Sequence, residues 1–167
     1  MAATHGRIEV PTAANMHELG RQLAAELRAG DLVVLSGPLG AGKTTLVQGI
    51  GTGLNVRGPV TSPTFVIARV HPALAGGPGL VHVDAYRLGS VAEVDDLDLD
   101  ASLEESVTVV EWGEGLVEGL AADRLEVSIE LGPAGADPDW RTVAMTGIGQ
   151  RWESVAESVR CGLPVTP

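Results

Sequence analysis

The sequence predicts a single α/β domain built on a mixed, mainly parallel central sheet flanked by helices. Three observations predict it. Short β-branched segments alternate with helical ones over much of the chain. A glycine-rich turn, Gly37-Pro38-Leu39-Gly40-Ala41-Gly42-Lys43-Thr44-Thr45, joins one such strand directly to a helix. Near the C-terminus, residues 124–131 and 142–146 alternate apolar and polar side chains across a turn, as paired antiparallel strands do. A length of 167 residues suits one domain, able to bury about two-thirds of its unfolded surface. A hydrophobic share of 44% argues against disorder.

In chain order, residues 7–10 read as a first strand ended by Pro11. Thr12 caps a helix running to about residue 28, in which Met16, Leu19, Leu23 and Leu27 recur every three to four residues and form one buried stripe. Gly30 stops it. Residues 31–36 form a buried strand, the glycine turn follows, and residues 46–50 continue as a helix before a loop at 51–58. A Pro63-containing loop leads into a strand at 66–70, and residues 72–79 make an exposed Pro/Gly/Ala turn. The short strand 80–84 ends in Asp84 and the strand 107–111 in Glu111, with a helix at 90–97 between them, capped by Ser90 and Glu93. The C-terminal strand pair turns at 132–139, and residues 151–160 close as a helix with Trp152, Val155 and Val159 facing inward.

The glycine turn has the G-x-x-x-x-G-K-[ST] spacing of a phosphate-binding P-loop. Glycines at 37, 40 and 42 let the backbone curl through positive φ, so that N–H groups from Leu39 to Thr45 can converge on phosphate oxygens. The helix that follows adds unpaired N–H groups and the positive end of its dipole. Lys43 is the only lysine, the other ten basic residues being Arg. It is expected to reach the β- and γ-phosphates, while the Thr44 hydroxyl ligates Mg²⁺. The fold is therefore read as a P-loop NTPase, expected to bind a nucleoside triphosphate with Mg²⁺; that the nucleotide is ATP is implied by the family resemblance given below.

In open α/β sheets, ligands bind beyond the carboxyl ends of the strands. Asp84 and Glu111 both stand there, each after a run of apolar residues. One is expected to bind Mg²⁺, directly or through water, and the other to position the attacking water; the residues leave open which does which. Thr61, Ser62 and Thr64 surround Pro63 with three hydroxyls, a loop of the kind that senses a γ-phosphate. His82 lies on the strand face of Asp84 but deeper, and is read as a structural histidine. Cys161, the single cysteine, excludes an internal disulfide framework and is read as inert.

Charge narrows the class further. Of the net −11, residues 84–130 contribute fourteen acids against Arg87 and Arg124, a local −12 that leaves the remainder near neutral. No basic footprint for direct nucleic-acid binding is present. The acidic run from Glu93 to Glu105 is read as a solvated face, with docking to a basic partner as the sharper alternative. No apolar run is long enough to cross a bilayer and no signal-peptide core is visible, so the expected setting is the cytoplasm.

Taken together, the P-loop, Thr61-Ser62-Pro63-Thr64-Phe65, His82-Val83-Asp84-Ala85-Tyr86-Arg87-Leu88, Glu111-Trp112-Gly113-Glu114 and the terminal Gly149-Gln150-Arg151-Trp152 resemble the TsaE (YjeE) family. The only Phe and the only Tyr of the chain fall inside two of these motifs. The resemblance covers roughly residues 8–153. It implies a small P-loop ATPase, weak alone, that supports turnover of the TsaB–TsaD pair. That pair transfers a threonylcarbamoyl group to the adenosine 3′ of the anticodon, so that tRNA is met through the complex. It also implies Thr44 and Glu111 as first candidates for Mg²⁺, Asp84 in the Walker-B-like place, and catalytic roles for Lys43, Asp84, Glu111 and Thr64. The loops 61–65 and 111–114 would be the first and second switch-like segments.

Met16 departs from the family, which commonly carries a Thr near this position to help hold the nucleotide. Two other readings of the P-loop remain: a small-molecule kinase, disfavoured by the lack of an Arg-rich lid, and a nucleotide-gated assembly module with little hydrolysis.

Overall fold

The computed structural model describes residues 3–61, 68–84, 104–111 and 123–153. In chain order these form β1 (Ala3–Val10), α1 (Ala13–Ala24), β2 (Leu32–Ser36), α2 (Lys43–Leu54), β3 (Ala68–His71), β4 (Gly79–Asp84), β5 (Ser106–Glu111), β6 (Arg124–Leu131), β7 (Arg141–Ile148) and α3 (Gln150–Glu153). The strands make one seven-stranded sheet in the order β1-β7-β6-β2-β5-β4-β3. Its four middle strands pair in parallel, β6 with β2, β2 with β5 and β5 with β4. Antiparallel partners flank them on both sides, β7 and β1 at one end and β3 at the other. The expected helix at 90–97, Thr64 and most of its loop, Tyr86 and Arg87, Trp112 to Glu114, and the residues of the terminal helix beyond 153 lie outside the described residues.

Burial explains the parallel centre. Leu32, Val33, Val34 and Leu35 of β2 are all buried, as are Val107 to Val110 of β5, so these strands bury both faces. On one face Val33, Leu35, Leu80, Val107 and Val109 join a core with Leu19 and Leu23 of α1 and Leu46, Val47 and Ile50 of α2. The two helices can approach closely because Gly20 and Gly49 face each other: a Cβ on either would run into the backbone of the opposite helix.

Thr12 caps α1 as expected, its Oγ1 accepting from the Asn15 N–H at 3.1 Å. The helix ends at Ala24 rather than near residue 28. Its last turn tightens, with Glu26 and Leu27 donating to Leu23 and Ala24 three residues back, and the Arg28 N–H is taken by the Asp31 carboxylate. Leu27 is nevertheless buried, so the apolar stripe outlasts the helix.

The helix after the glycine turn is longer than expected, and the loop placed at 51–58 is corrected accordingly: residues 51–54 are helical. Gly51 and Gly53 act here as contact points, not breakers. A Cβ on Gly51 would meet Val60 at 2.7 Å, and one on Gly53 would meet the Arg21 carbonyl at 2.6 Å. Asn55, at φ 55°, ends the helix in the left-handed conformation.

At the sheet edge, β1 starts at Ala3, earlier than expected, because its main chain pairs with β7 from Ala3↔Ile148 to Val10↔Arg141. The turn after β3 is exposed from Leu74 to Gly77. Its first residues are held, with Arg57 donating to the Pro72 carbonyl at 2.8 Å and Leu74 to Asn55 at 3.0 Å. Trp152 of α3 is buried beside Gly147. Arg151 stacks on its ring at 4.5 Å and grips Asp31 through Nε and Nη2 at 2.9 and 2.8 Å.

Candidate functional site

The site forms where β2 leaves the sheet. Gly37, Gly40 and Gly42 take φ values of 150°, 78° and 107°, which a side chain would strain. The curl closes with the Ala41 N–H donating to the Pro38 carbonyl at 3.1 Å, and Gly42 becomes the left-handed N-cap of α2. Leu39 stands at the apex, 91% exposed, while Ala41 is buried beneath. Thr44 and Thr45, both half-buried, belong to the first turn of α2. The three glycines thus take the positive φ expected of them, and the helix starts directly after the turn.

Lys43 is buried, at 6% exposure. Its ammonium donates to the Gly37 and Pro38 carbonyls at 2.8 and 3.0 Å. Burial lowers its pKa, and the negative charges of Glu111 and Asp84 act to raise it. The lysine charge and the two carboxylates therefore feel one another across the end of the sheet.

Asp84 and Glu111 are register partners on the parallel strands β4 and β5, and Leu35 of β2 is in register with Glu111. Residues in register share a face on strands about 4.8 Å apart. The two acids and the start of the P-loop thus form one row at the carboxyl edge. Asp84 is half-buried and Glu111 is buried.

Burying a carboxylate is costly unless it is hydrogen-bonded. Glu111 is bonded: its Oε2 lies 2.9 Å from His82 Nε2, and the imidazole is fully buried. An ionised carboxylate only accepts, so Nε2 carries the hydrogen. His82 Nδ1 is buried, with no hydrogen-bond partner among the described residues. A hydrogen on Nδ1 instead would be an unsatisfied buried donor, costing about 1–3 kcal/mol.

A second side chain that the sequence reading did not single out is Arg141, at the start of β7. Its guanidinium donates to four carbonyl oxygens. Nη1 serves Pro138 at 2.6 Å and Trp140 at 2.9 Å within its own hairpin. Nε serves Ala41 at 3.1 Å and Nη2 serves Gly40 at 3.3 Å in the P-loop. An arginine after a turn, a hundred residues from the loop, carries no local signal of this role. Beside it a cavity of about 190 Å³ opens next to the loop, lined by Thr12, Met16, Gly42, Thr45, Asp139 and Arg141 among others. Met16 thus lines the cavity beside the loop, with no hydroxyl to offer, and Thr12 already bonds Asn15.

These residues fit a polyphosphate with a divalent cation. The turn carries three glycines at positive φ, its lysine donates to two neutral carbonyls, and two carboxylates stand in register beside it. Among the described residues no group of three His, Cys, Asp or Glu forms a ready-made cation site. Of the residues read as catalytic, Lys43, Asp84 and Glu111 come together with Thr44, while Thr64 lies outside the described residues.

Comparison with known proteins agrees with this geometry. The family described as "Threonylcarbamoyl adenosine biosynthesis protein TsaE" matches residues 10–135. The chain is 62% identical over 148 residues to a tRNA threonylcarbamoyladenosine biosynthesis protein TsaE of Streptomyces coelicolor, covering 88% of this chain and 100% of that one. A Bacillus subtilis protein of the same description is 35% identical over 142 residues, covering 84% and 85%. The crystal structure of Bacillus subtilis YdiB superposes with a TM-score of 0.73 at 26% identity, over 95% of this chain and 96% of that chain.

Proposed function

The chain belongs to the TsaE family, and from that premise we propose that it binds and hydrolyses ATP with Mg²⁺ in the cytoplasm. By doing so it supports turnover of the TsaB–TsaD pair in threonylcarbamoyladenosine formation on tRNA. The observation that carries the reading is the row formed by the P-loop, Glu111 and Asp84 along β2, β5 and β4, with the buried Lys43 charge coupled to both acids.

In this reading the loop N–H groups and the α2 N-terminus bind the phosphates. Lys43 exchanges the Gly37 and Pro38 carbonyls for β- and γ-phosphate oxygens. Thr44 and one of the strand-end acids hold Mg²⁺, and the other acid orients the attacking water. When bound, the metal neutralises charge on the phosphate oxygens. Thr64 would have the catalytic role that the family resemblance implies for it. The local −12 from residue 84 to 130 makes direct tRNA contact unfavourable and supports a protein partner between this chain and the RNA.

The test is ATP hydrolysis by the chain alone and then with purified TsaB–TsaD and tRNA, with Lys43→Ala as control. Stimulation by the pair, lost in the variant, is the expected result. Hydrolysis indifferent to the pair would overturn the assignment of partner. Phosphate appearing on a metabolite instead of free in solution would favour the kinase reading.

A further inference from the structure

We propose that His82 is a positioning residue for Glu111, holding one carboxylate oxygen through Nε2–H so that the remaining lone pairs face the P-loop. The proposal rests on the functional reading of Glu111 given above. His82 is in register with Val109, two residues before Glu111, so its ring reaches forward along the sheet to the neighbouring strand. The bond is 2.9 Å, with both side chains out of solvent at 0% and 5% exposure. A buried donor of this kind cannot be replaced by water, so the carboxylate has one preferred orientation.

A purely structural role explains the arrangement poorly. The ring sits on a sheet face whose neighbours Leu80, Val107 and Val109 are fully buried and apolar. A histidine kept for structure would satisfy both nitrogens, yet among the described residues Nδ1 has no hydrogen-bond partner. A leucine would fill the same space without an orphaned polar atom. The hydrogen bond that the imidazole makes among the described residues is to Glu111, whose charge also reaches Lys43 at the mouth of the loop. Carboxylates that bind metals are commonly held by a partner of this kind, whose removal weakens metal binding or activity by about 10–100-fold.

The variants His82→Leu, His82→Gln and His82→Asn test this on the full chain. The Gln amide reaches about as far as imidazole Nε2, whereas Asn falls short. Mn²⁺ binding to the ADP complex is read by electron paramagnetic resonance, beside metal-free ADP affinity, turnover and thermal midpoint. The expected result is a loss of about tenfold or more in Mn²⁺ affinity for Leu and Asn, largely restored in Gln, with metal-free ADP affinity unchanged. Unchanged Mn²⁺ affinity in His82→Leu would overturn the proposal, as would Gln being as impaired as Leu. Where His82→Leu does not fold, the contrast between Gln and Asn decides in the same way. Glu111→Gln separates the two levels of argument. If it lowers Mn²⁺ affinity while His82→Leu does not, only the positioning role falls. If neither variant has an effect, the reading of Glu111 falls with it.

Discussion

Arg141→Met removes the guanidinium that ties the β6–β7 hairpin to the P-loop while keeping an unbranched apolar stem of similar length. Of its four hydrogen bonds, the two to Pro138 and Trp140 stay within the hairpin and bear on stability. The two to Ala41 and Gly40, at 3.1 and 3.3 Å, bear on the loop. At a net of about 0.5–1.5 kcal/mol each, with the longer one at the low end, the loop pair is worth about 1–2 kcal/mol. If that energy orders the Gly40 and Ala41 peptides before phosphate arrives, its loss falls on binding and weakens ADP affinity about 5–30-fold. The assay is ADP titration by calorimetry, with amide exchange at residues 40–43 as a direct readout of loop order. Arg141→Lys should recover little, since a single ammonium does not reproduce a planar fork across four carbonyls. Full ADP affinity in Arg141→Met, together with a lowered thermal midpoint, would refute the reasoning and leave Arg141 as a hairpin residue only.

Other perturbations test the frame around the site. Arg151→Met leaves the Asp31 carboxylate, 4% exposed, without its bidentate partner. It should cost about 3–5 kcal/mol in urea unfolding, and a change under 1 kcal/mol would show that water replaces the arginine freely. Gly49→Ala drives a Cβ into the His17 carbonyl, so α1 and α2 must part; a loss of about 1–3 kcal/mol is expected, and an unchanged thermal midpoint would contradict the close approach. His71 is buried, and its pKa is lowered from 6.5 chiefly by desolvation. The unfolded chain therefore binds the proton first as pH falls, so this contribution to stability is complete above the unfolded value and is lost on acidification below it. Urea midpoints at neutral and mildly acid pH should diverge in the wild type and less so in His71→Leu; equal slopes in the two would sink the assignment.

The parts of the site that were legible in the sequence are those whose physics is local. Gly40, Gly42, Lys43 and Thr44 are close in the chain, so a spacing alone encodes their shared geometry. Asp84 and Glu111 were legible for a different reason: each ends an apolar strand, and parallel strands bring their carboxyl ends to one edge. Their direct register is a property of the pairing and has no trace in either segment. Gly51 and Gly53 misled because a glycine that breaks a helix and a glycine that admits a neighbour are the same letter. Residues 3–6 lack strand alternation, yet the main chain of β7 recruits them. Arg141 and the His82–Glu111 bond were hidden because each joins segments that only the fold makes neighbours.

The strand order also divides the site chemically. Because β2 lies between β5 and β6, the P-loop has acids on one side and an arginine on the other. Toward β5 and β4 stand Glu111 and Asp84, with His82 behind them, where a cation is favoured. Toward the β6–β7 hairpin and α1 stand Arg141, Thr12 and Met16 around the open cavity, whose lining among the described residues includes one acid, Asp139. A triphosphate laid over the loop would meet opposite fields along its length. Its metal-bearing end would be drawn to the acids and its nucleoside end left to the cavity. Orientation would then follow from topology before any base contact is made. Met16 stands on that same side, where the loop is held by Arg141 and the methionine lends the cavity wall its shape.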